Sequence, residues 1–234
     1  MSLEIQRLPD IDDIQLWMVA GLPSEDEQQA LLTLLNEDER ARYERFQVDE
    51  ARLSFLISRG SLRRLLGEHL GVDPTSLTFG RGRHGKPFLD GEHAGIEFNV
   101  SHSKEMFVYA VTRERIVGID VEHMKAERPF DRLAERFFAP GEAQRLLEEG
   151  RREDTVENFY RCWTRKEAYL KAKGLGITMQ LDAFAPTFLP EEAPALKHTE
   201  IDGEDPSTWE CTEIEVPGPY KAALVRGPVG ARSA

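Results

Sequence analysis

The chain is short of the residues that mark several protein classes. Only two of its 234 residues are cysteines, Cys162 and Cys211, and they form no metal-binding type of pair. Two thiols in a chain of this size favour a reducing compartment over a disulfide-stabilised secreted fold. No apolar run approaches the roughly 18 residues that a membrane-spanning helix needs. The first residues lack the basic and then apolar pattern of a secretory signal. We therefore expect a cytoplasmic protein without membrane association.

Basic residues are also few, with 30 Lys and Arg against 42 Asp and Glu and a net charge of −12. Phosphate polyanions repel such a chain on average, which argues against a general nucleic-acid or membrane-surface binder. The net charge does not exclude a local basic site.

The length suits one large or two small domains. Periodicity predicts helices over 26–35, 49–70, 140–149 and 155–173, and Asn36 is a candidate N-cap for one more. Short apolar or β-branched segments predict strands over 14–20, 77–79, 96–100, 106–112, 116–121, 184–189, 209–216 and 221–225. Helices followed by strands, twice over, predict an α+β fold of two halves, 1–114 and 115–234. The acidic stretch 187–215 is expected to form a solvated, variable surface.

Residues 52–86 form a local exception to the acidic balance, with seven basic residues against two acidic ones. The basic residues are Arg52, Arg59, Arg63, Arg64, Arg81, Arg83 and Lys86. Glycines in the loop 81–87 let the backbone approach a ligand, and Arg and Lys supply charge-assisted bonds to phosphate. The alternative is a solvated helix face followed by a turn. We expect Arg63 and Arg64 to lie on such a solvated face.

Polar residues at 99–103 follow a predicted strand, a common position for ligand-binding groups. Neighbouring side chains of a strand point to opposite faces, so Ser101 and His102 do not pair as nucleophile and base. His102 is either a structural or turn-forming residue or a phosphate contact.

Two acidic residues alternate in the segment 117–122. A period of two places Asp120 and Glu122 on one face of a strand, about 7 Å apart. Two such carboxylates repel unless a cation lies between them, and oxygen ligands suit Mg²⁺ bound with substrate phosphates. The alternative is a solvent-facing strand of alternating pattern.

Trp163, Glu167 and Lys171 share one stripe of the predicted helix over 155–173. Glu167 and Lys171 form either a surface ion pair or, because the tryptophan disfavours full exposure, a partly buried acid–base pair.

Six segments in order resemble the Sfp-type 4′-phosphopantetheinyl transferases. They are GKPFL at 85–89, FNVSHS at 98–103, VGIDVE at 117–122, RFFAPGE at 136–142, WTRKEAYLKAKGLG at 163–176 and PYKAAL at 219–224. The resemblance implies two pseudo-twofold-related α+β subdomains in a monomer, with the active site between them. It also implies transfer of the 4′-phosphopantetheine arm of coenzyme A to a serine of an apo acyl or peptidyl carrier protein. Adenosine 3′,5′-bisphosphate is the implied leaving product.

The same resemblance implies roles for individual residues. Asp120, Glu122 and Glu167 match the ligands of Mg²⁺, and Glu167 also matches the proposed general base. Lys171 matches a lysine held near the diphosphate of coenzyme A. The implied coenzyme-binding set also includes Lys86, Ser101 and His102, with Arg42 and Arg81 on a looser alignment. Glu142 matches an acidic residue with a supporting role.

Two other functions fit parts of this pattern. One is a non-catalytic module that binds coenzyme A or a carrier protein on the same scaffold. The other is an unrelated Mg²⁺-dependent phosphohydrolase that uses the Asp120 and Glu122 pair.

Overall fold

The computed structural model describes residues 2–82, 84–148, 152–175, 181–201 and 203–230. This part of the chain contains six α-helices and eleven strands, which confirms the α+β class. The helices are α1 (Glu25–Leu34), α2 (Glu37–Arg45), α3 (Asp49–Leu70), α4 (Phe130–Phe137), α5 (Pro140–Glu148) and α6 (Arg152–Lys173). The strands are β1 (Glu4–Ile11), β2 (Ile14–Ala20), β3 (Phe79–Arg81), β4 (Pro87–Leu89), β5 (Glu97–Ser103), β6 (Met106–Thr112), β7 (Arg115–His123), β8 (Phe184–Pro186), β9 (Leu196–Thr199), β10 (Glu210–Ile214) and β11 (Tyr220–Val229).

Two antiparallel sheets organise the molecule. The first has the order β1-β2-β6-β5, and the second has the order β10-β11-β7. The pairs β3–β4 and β8–β9 form two smaller sheets. None of the helices in the described ranges combines the length and hydropathy that crossing a membrane requires.

Helix α3 covers the first sheet because its leucines recur on one face. Leu56, Leu62, Leu65 and Leu66 pack in one core with Phe98 of β5. Capping explains the boundaries of the neighbouring helices: Ser24 and Asn36 each form a capping box at the start of α1 and α2.

Arg63 does not lie on a solvated face, contrary to the sequence-based expectation. Its side chain is 0% exposed and donates to the carbonyl oxygens of Pro74 (2.6 Å) and Leu77 (3.1 Å). It also forms an ion pair with Glu39 at 2.6 Å. The loop after α3 folds back over this face, so its backbone acceptors replace water.

Helix α6 lies unusually close to β7 at Gly118. A Cβ atom at Gly118 would lie 2.0 Å from the carbonyl oxygen of Ala168 and 2.4 Å from the nitrogen of Ala172. Only glycine permits this approach. The close contact brings the side chains of α6 next to those of β7.

The two main sheets meet at a seam between β5 and β7, where side chains replace part of a backbone ladder. Three acceptors of β5 bond to alternate N–H groups of β7: Asn99 to Ile119 (2.9 Å), Ser101 to Val121 (3.3 Å) and Ser103 to His123 (3.1 Å). The alternation of a strand thus presents every second residue of β5 to the neighbouring sheet.

The stretch 187–215 is not simply a solvated surface, so that expectation was wrong. Phe188, Leu196, Trp209 and Cys211 are buried in this region. Its acidic residues alternate with apolar ones that pack against α6 and the second sheet. The net charge of the segment, on which the expectation was based, does not show which of its residues are buried.

Candidate active site

Asp120 lies at the centre of the seam, where β5, β7 and α6 meet. Its Oδ1 atom accepts from Ser101 Oγ (2.8 Å) and from Lys171 Nζ (2.6 Å). Lys171 Nζ also donates to Ser101 Oγ at 2.6 Å. The second oxygen, Oδ2, is buried and has no hydrogen-bond partner among the described residues. One oxygen of this carboxylate is therefore held in place, and the other is without a protein partner in the described ranges.

Two further carboxylates share the electrostatic surroundings of Asp120. Burial, then the charge of Asp120, raises the pKa of Glu122, whose Oε2 accepts from Ser103 Oγ at 3.2 Å. Glu167 of α6 is 8% exposed. Burial, followed by the charges of Asp120 and Glu122, raises the pKa of Glu167 to about 7, although Lys171 opposes the shift. Three acidic groups thus face one nearby ammonium group, and their repulsion favours a bound cation.

The donor set fits a hard divalent cation. No group of three ligating side chains in the described ranges is already arranged around a metal position. The fit depends instead on the buried, unpartnered Oδ2 of Asp120 and on Glu122 and Glu167, whose pKa values are raised by burial and by the charge of Asp120. Carboxylate oxygens are the ligands that Mg²⁺ prefers.

His102 faces away from Asp120, as strand alternation predicts. Its ring stacks on Phe107 with centroids 5.1 Å apart and lines a groove of about 720 Å³. The pKa of His102 is lowered by desolvation of the ring, then by the charge of Lys171, and Asp120 opposes the shift. This residue lies within electrostatic range of the seam but does not pair with Ser101.

Lys86 lies at the junction of the two sheets. Its Nζ atom donates to the carbonyl oxygens of Val117 (3.2 Å) and Ala172 (3.0 Å) and lies 3.7 Å from Glu97. Burial lowers the pKa of Lys86 to about 8, and Glu97 opposes the shift. The residue also lines a cavity of about 530 Å³. Its role in coenzyme binding stays a prediction.

Arg42 and Arg81 lie near each other, and their role in coenzyme binding stays a prediction. Both line a cavity of about 260 Å³, which Arg59 lines as well. Sequence reasoning placed Arg59 only within the basic stretch and assigned it no separate role. It included Asn99 and Ser103 in the polar segment 99–103 but gave them no separate role, although polar residues at 99, 101 and 103 carry the period-two signal of one strand face.

Glu142, predicted to have a supporting role, forms a fully buried pair with Lys166 of α6. Lys166 is 0% exposed, and its Nζ atom lies 2.7 Å from Glu142 Oε2. The same ammonium donates to the carbonyl oxygens of Leu181 (2.7 Å) and Phe184. Burial raises the pKa of Glu142, and Lys166 opposes the shift. This pair holds α6 against α5 and the segment after residue 180.

Two family profiles match the chain in succession. "4′-phosphopantetheinyl transferase, N-terminal" matches residues 20–114, and "4′-phosphopantetheinyl transferase superfamily" matches residues 116–225. The 4′-phosphopantetheinyl transferase HetI of a Nostoc species is 41% identical over 168 residues, which cover 71% of this chain and 70% of that protein. Sfp of Bacillus subtilis is 28% identical over 163 residues, which cover 69% and 70%.

Among solved structures, a complex of an acyl-carrier-protein synthase with coenzyme A from Chronobacterium ammoniagenes aligns with a TM-score of 0.36 and 19% identity. It covers 49% of this chain and 97% of the other. The sequence relatives carry the assignment, since HetI exceeds 30% identity over more than two thirds of both proteins. The chain belongs to the 4′-phosphopantetheinyl transferase family, of the Sfp type that its motifs predicted, and it is an enzyme.

Proposed function

We propose that the enzyme transfers the 4′-phosphopantetheine arm of coenzyme A to a serine hydroxyl of an apo acyl or peptidyl carrier protein, with Mg²⁺ as its metal. The observation that carries this assignment is the half-satisfied carboxylate of Asp120, held by Ser101 and Lys171 beside two carboxylates of raised pKa. The arrangement suits a diphosphate, which needs both a metal site and a cation nearby.

The metal ligands in this proposal are Asp120, Glu122 and Glu167. Mg²⁺ bound there supplies neutralisation of the negative charge on the diphosphate. Ser101 and Ser103 orient two of these carboxylates through their hydroxyl groups. Lys171 remains beside Asp120, where its ammonium stabilises charge on the departing phosphate.

Glu167 is the proposed general base. Glu167 is only 8% exposed on α6 and lies in the electrostatic surroundings of Asp120 and Glu122. Its carboxylate takes the proton of the carrier serine, and the serine oxygen bonds to the β-phosphorus of coenzyme A. The bond from that phosphorus to the bridging oxygen breaks, and adenosine 3′,5′-bisphosphate leaves with the bridging oxygen.

Coenzyme binding involves mainly the N-terminal half in this proposal, with Lys86, Ser101, His102, Arg42 and Arg81. The C-terminal half, from residue 115 onward, supplies the metal ligands. The seam between β5 and β7 supports an active site between the halves of a monomer. Buried, unbridged thiols at Cys162 and Cys211 support a cytoplasmic location.

Mass spectrometry of an apo carrier protein incubated with the enzyme, coenzyme A and Mg²⁺ tests the assignment. The carrier should gain the mass of one phosphopantetheine arm. Glu167→Gln should abolish the gain, whereas Glu157→Gln, a matched change on an exposed position of the same helix, should not. Coenzyme binding without transfer to any of several apo carriers would instead identify a binding module. Phosphate release without a carrier would identify a phosphohydrolase.

A further inference from the structure

The seam joins the last strands of two sheets, because β5 ends the order of the first sheet and β7 ends the order of the second. Backbone N–H groups at the edge of a sheet need acceptors from elsewhere. Asn99, Ser101 and Ser103 supply them to alternate residues of β7, each 20 residues further along the chain. A constant offset means that the two strands run in the same direction in one fixed register.

The two serines of the seam serve carboxylates as well as the backbone. Ser101 donates to Asp120 Oδ1 (2.8 Å), and Ser103 donates to Glu122 Oε2 (3.2 Å). A hydroxyl group has a single hydrogen, so while it donates to a carboxylate it meets a backbone N–H group only as an acceptor. One register therefore both satisfies the edge of β7 and directs the hydroxyl groups at the carboxylates.

Asn99 has a different position in this pattern. The residue of β7 that corresponds to the carboxylate positions is Gly118, which has no side chain. Asn99 is 6% exposed, and its Oδ1 atom accepts from the N–H group of Ile119 at 2.9 Å. The bond of Asn99 thus holds the backbone of β7 at the residue directly before Asp120.

This bond forms where α6 also holds β7. Helix α6 packs so closely that a Cβ atom at Gly118 would lie 2.0 Å from the carbonyl oxygen of Ala168. Asn99 therefore ties β5 to the segment of β7 that the helix already fixes. A buried N–H group without an acceptor is costly, so loss of the bond to Ile119 favours a displacement of β7 relative to β5.

The seam continues beyond Asn99 through a longer link. Lys86 Nζ lies 3.7 Å from Glu97 of β5 and donates to the carbonyl oxygen of Val117 at 3.2 Å. A flexible lysine stem accommodates small displacements of the two strands. The short side chain of Asn99 accommodates less, so it is the more exacting of the two links.

We propose that Asn99 is a positioning residue for the transfer reaction, which holds β7 in the register where Asp120 and Glu122 meet their hydroxyl partners on β5. This inference rests on the proposed function, because the two carboxylates are metal ligands there. Asn99 acts through the backbone of Ile119. A shift of one residue would turn both carboxylates to the other face of the strand, and a misplacement of about 1 Å can lower a rate about a hundredfold.

Hydrogen exchange of backbone amides, measured by NMR on the full chain, tests the inference without any reaction. Asn99→Leu keeps the approximate size of the side chain and removes the acceptor. Protection of the Val121 and His123 amides should fall about tenfold or more beyond the fall at Val108 of β6, which reports global stability. A loss confined to the Ile119 amide, or a fall no larger than that at Val108, would overturn the inference.

The wild-type enzyme gives a test that depends on no variant. The amides of Ile119, Val121 and His123 should exchange through one shared opening, with opening free energies that agree within the error of the measurement. Three separate openings would contradict a register that Asn99 sets. This measurement decides the question if Asn99→Leu does not fold.

A conservative variant and a matched control sharpen the result. Asn99→Asp keeps an oxygen acceptor in the same place, so the protection at Val121 should exceed that in Asn99→Leu relative to Val108. Thr199→Val removes the side-chain acceptor of the Ile201 N–H group (3.1 Å), a comparable bond outside the seam. It should leave the protection at Val121 unchanged relative to Val108.

Kinetics separate this inference from the proposed function. If the wild-type enzyme transfers the arm, Asn99→Leu should lower kcat about tenfold or more and raise the Mg²⁺ concentration for half-maximal transfer, whereas Thr199→Val should change neither. Seam protection that depends on Asn99 without any arm transfer would refute the proposed function and leave the register role standing. Arm transfer with seam protection that is independent of Asn99 would do the reverse.

Discussion

Two of the lysine–carboxylate pairs on helix α6 differ in how completely the hydrogen-bonding capacity of their atoms is satisfied. Lys166 is 0% exposed, and its ammonium binds Glu142 and two backbone carbonyl oxygens. Lys171, five residues later, is 30% exposed and binds Asp120 and Ser101. The Oδ2 atom of Asp120 has no hydrogen-bond partner among the described residues.

We expect this difference to separate a structural pair, at Lys166, from a functional pair, at Lys171. A buried ion pair persists only when surrounding groups satisfy its remaining hydrogen-bonding capacity, as the carbonyl groups around Lys166 do. The pair at Lys171 retains spare capacity beside Glu122 and Glu167, both of which have raised pKa values. Unused capacity next to two carboxylates of raised pKa is the reason we expect a ligand to bind at this position.

The largest effect is expected when the pair of Lys171 and Asp120 loses its negative charge. Asp120→Asn keeps the shape of the side chain but removes its charge, so arm transfer should fall by about a thousandfold or more. Single-turnover measurements by mass spectrometry, together with thermal unfolding, check this expectation. Asp182→Asn, on an exposed aspartate of the same half, is the matched control. A variant at Asp120 with more than a tenth of the wild-type rate would contradict the assignment.

The second largest effect is expected when the pair of Lys166 and Glu142 loses its positive charge. Lys166→Met leaves the carboxylate of Glu142 buried without its partner, so the free energy of unfolding should fall by about 3–5 kcal/mol. Urea denaturation measures this change. The additional substitution Glu142→Gln should recover part of the loss, because it removes the uncompensated charge. A loss below about 1 kcal/mol would show that Lys166 is not structural.

A substitution of Lys171 has a smaller expected effect on stability and allows a direct comparison of the two lysines. Lys171→Met should lower the rate of transfer about a hundredfold, because the diphosphate loses a nearby cation. The free energy of unfolding should fall by less than for Lys166→Met, since the ammonium of Lys171 is 30% exposed although Asp120 is buried. Measurements of the transfer rate and of urea denaturation on Lys166→Met and Lys171→Met test this expectation. Similar stability losses for Lys166→Met and Lys171→Met would remove the distinction.

The smallest effect concerns a peripheral carboxylate. Burial alone would raise the pKa of Glu192, yet bonds from Lys197, the backbone N–H groups of Leu189 and Phe188, and Arg145 lower it to about 2. Stability from a lowered pKa is complete above the unfolded value near 4.5 and is lost as the pH falls toward 2. Glu192→Gln should therefore cost about 1 kcal/mol at pH 7 and nearly nothing near pH 2. Urea denaturation across this range checks the convergence, and a constant difference would refute it.

Elements with strong local periodicity were predictable from the sequence. The predicted bounds of α3 (49–70) and β6 (106–112) agree with the structure, because leucine spacing and a continuous apolar run mark them. The prediction over 77–79 was displaced, since the strand lies at Phe79–Arg81. Strand β1 was missed because it is a largely exposed edge strand that contains a proline.

The faces shared by the candidate site residues were also predictable, but the partners of these residues were not. Spacing alone places Asp120 and Glu122 on one strand face and Glu167 and Lys171 on one helix stripe. The bond between Ser101 and Asp120 joins two sheets, and the bonds of Lys86 to Val117 and Ala172 join distant segments. No local pattern contains such contacts.

The sequence by itself determined the family, the α+β class and the candidate acidic and basic residues. Tertiary structure decided how far the hydrogen-bonding capacity of these residues is satisfied. It buried Lys166 among carbonyl groups and left an acceptor of Asp120 unpartnered in the described part of the chain. The physical reason is that spacing fixes which side chains share a face, whereas burial and bonding depend on the elements that fold against that face.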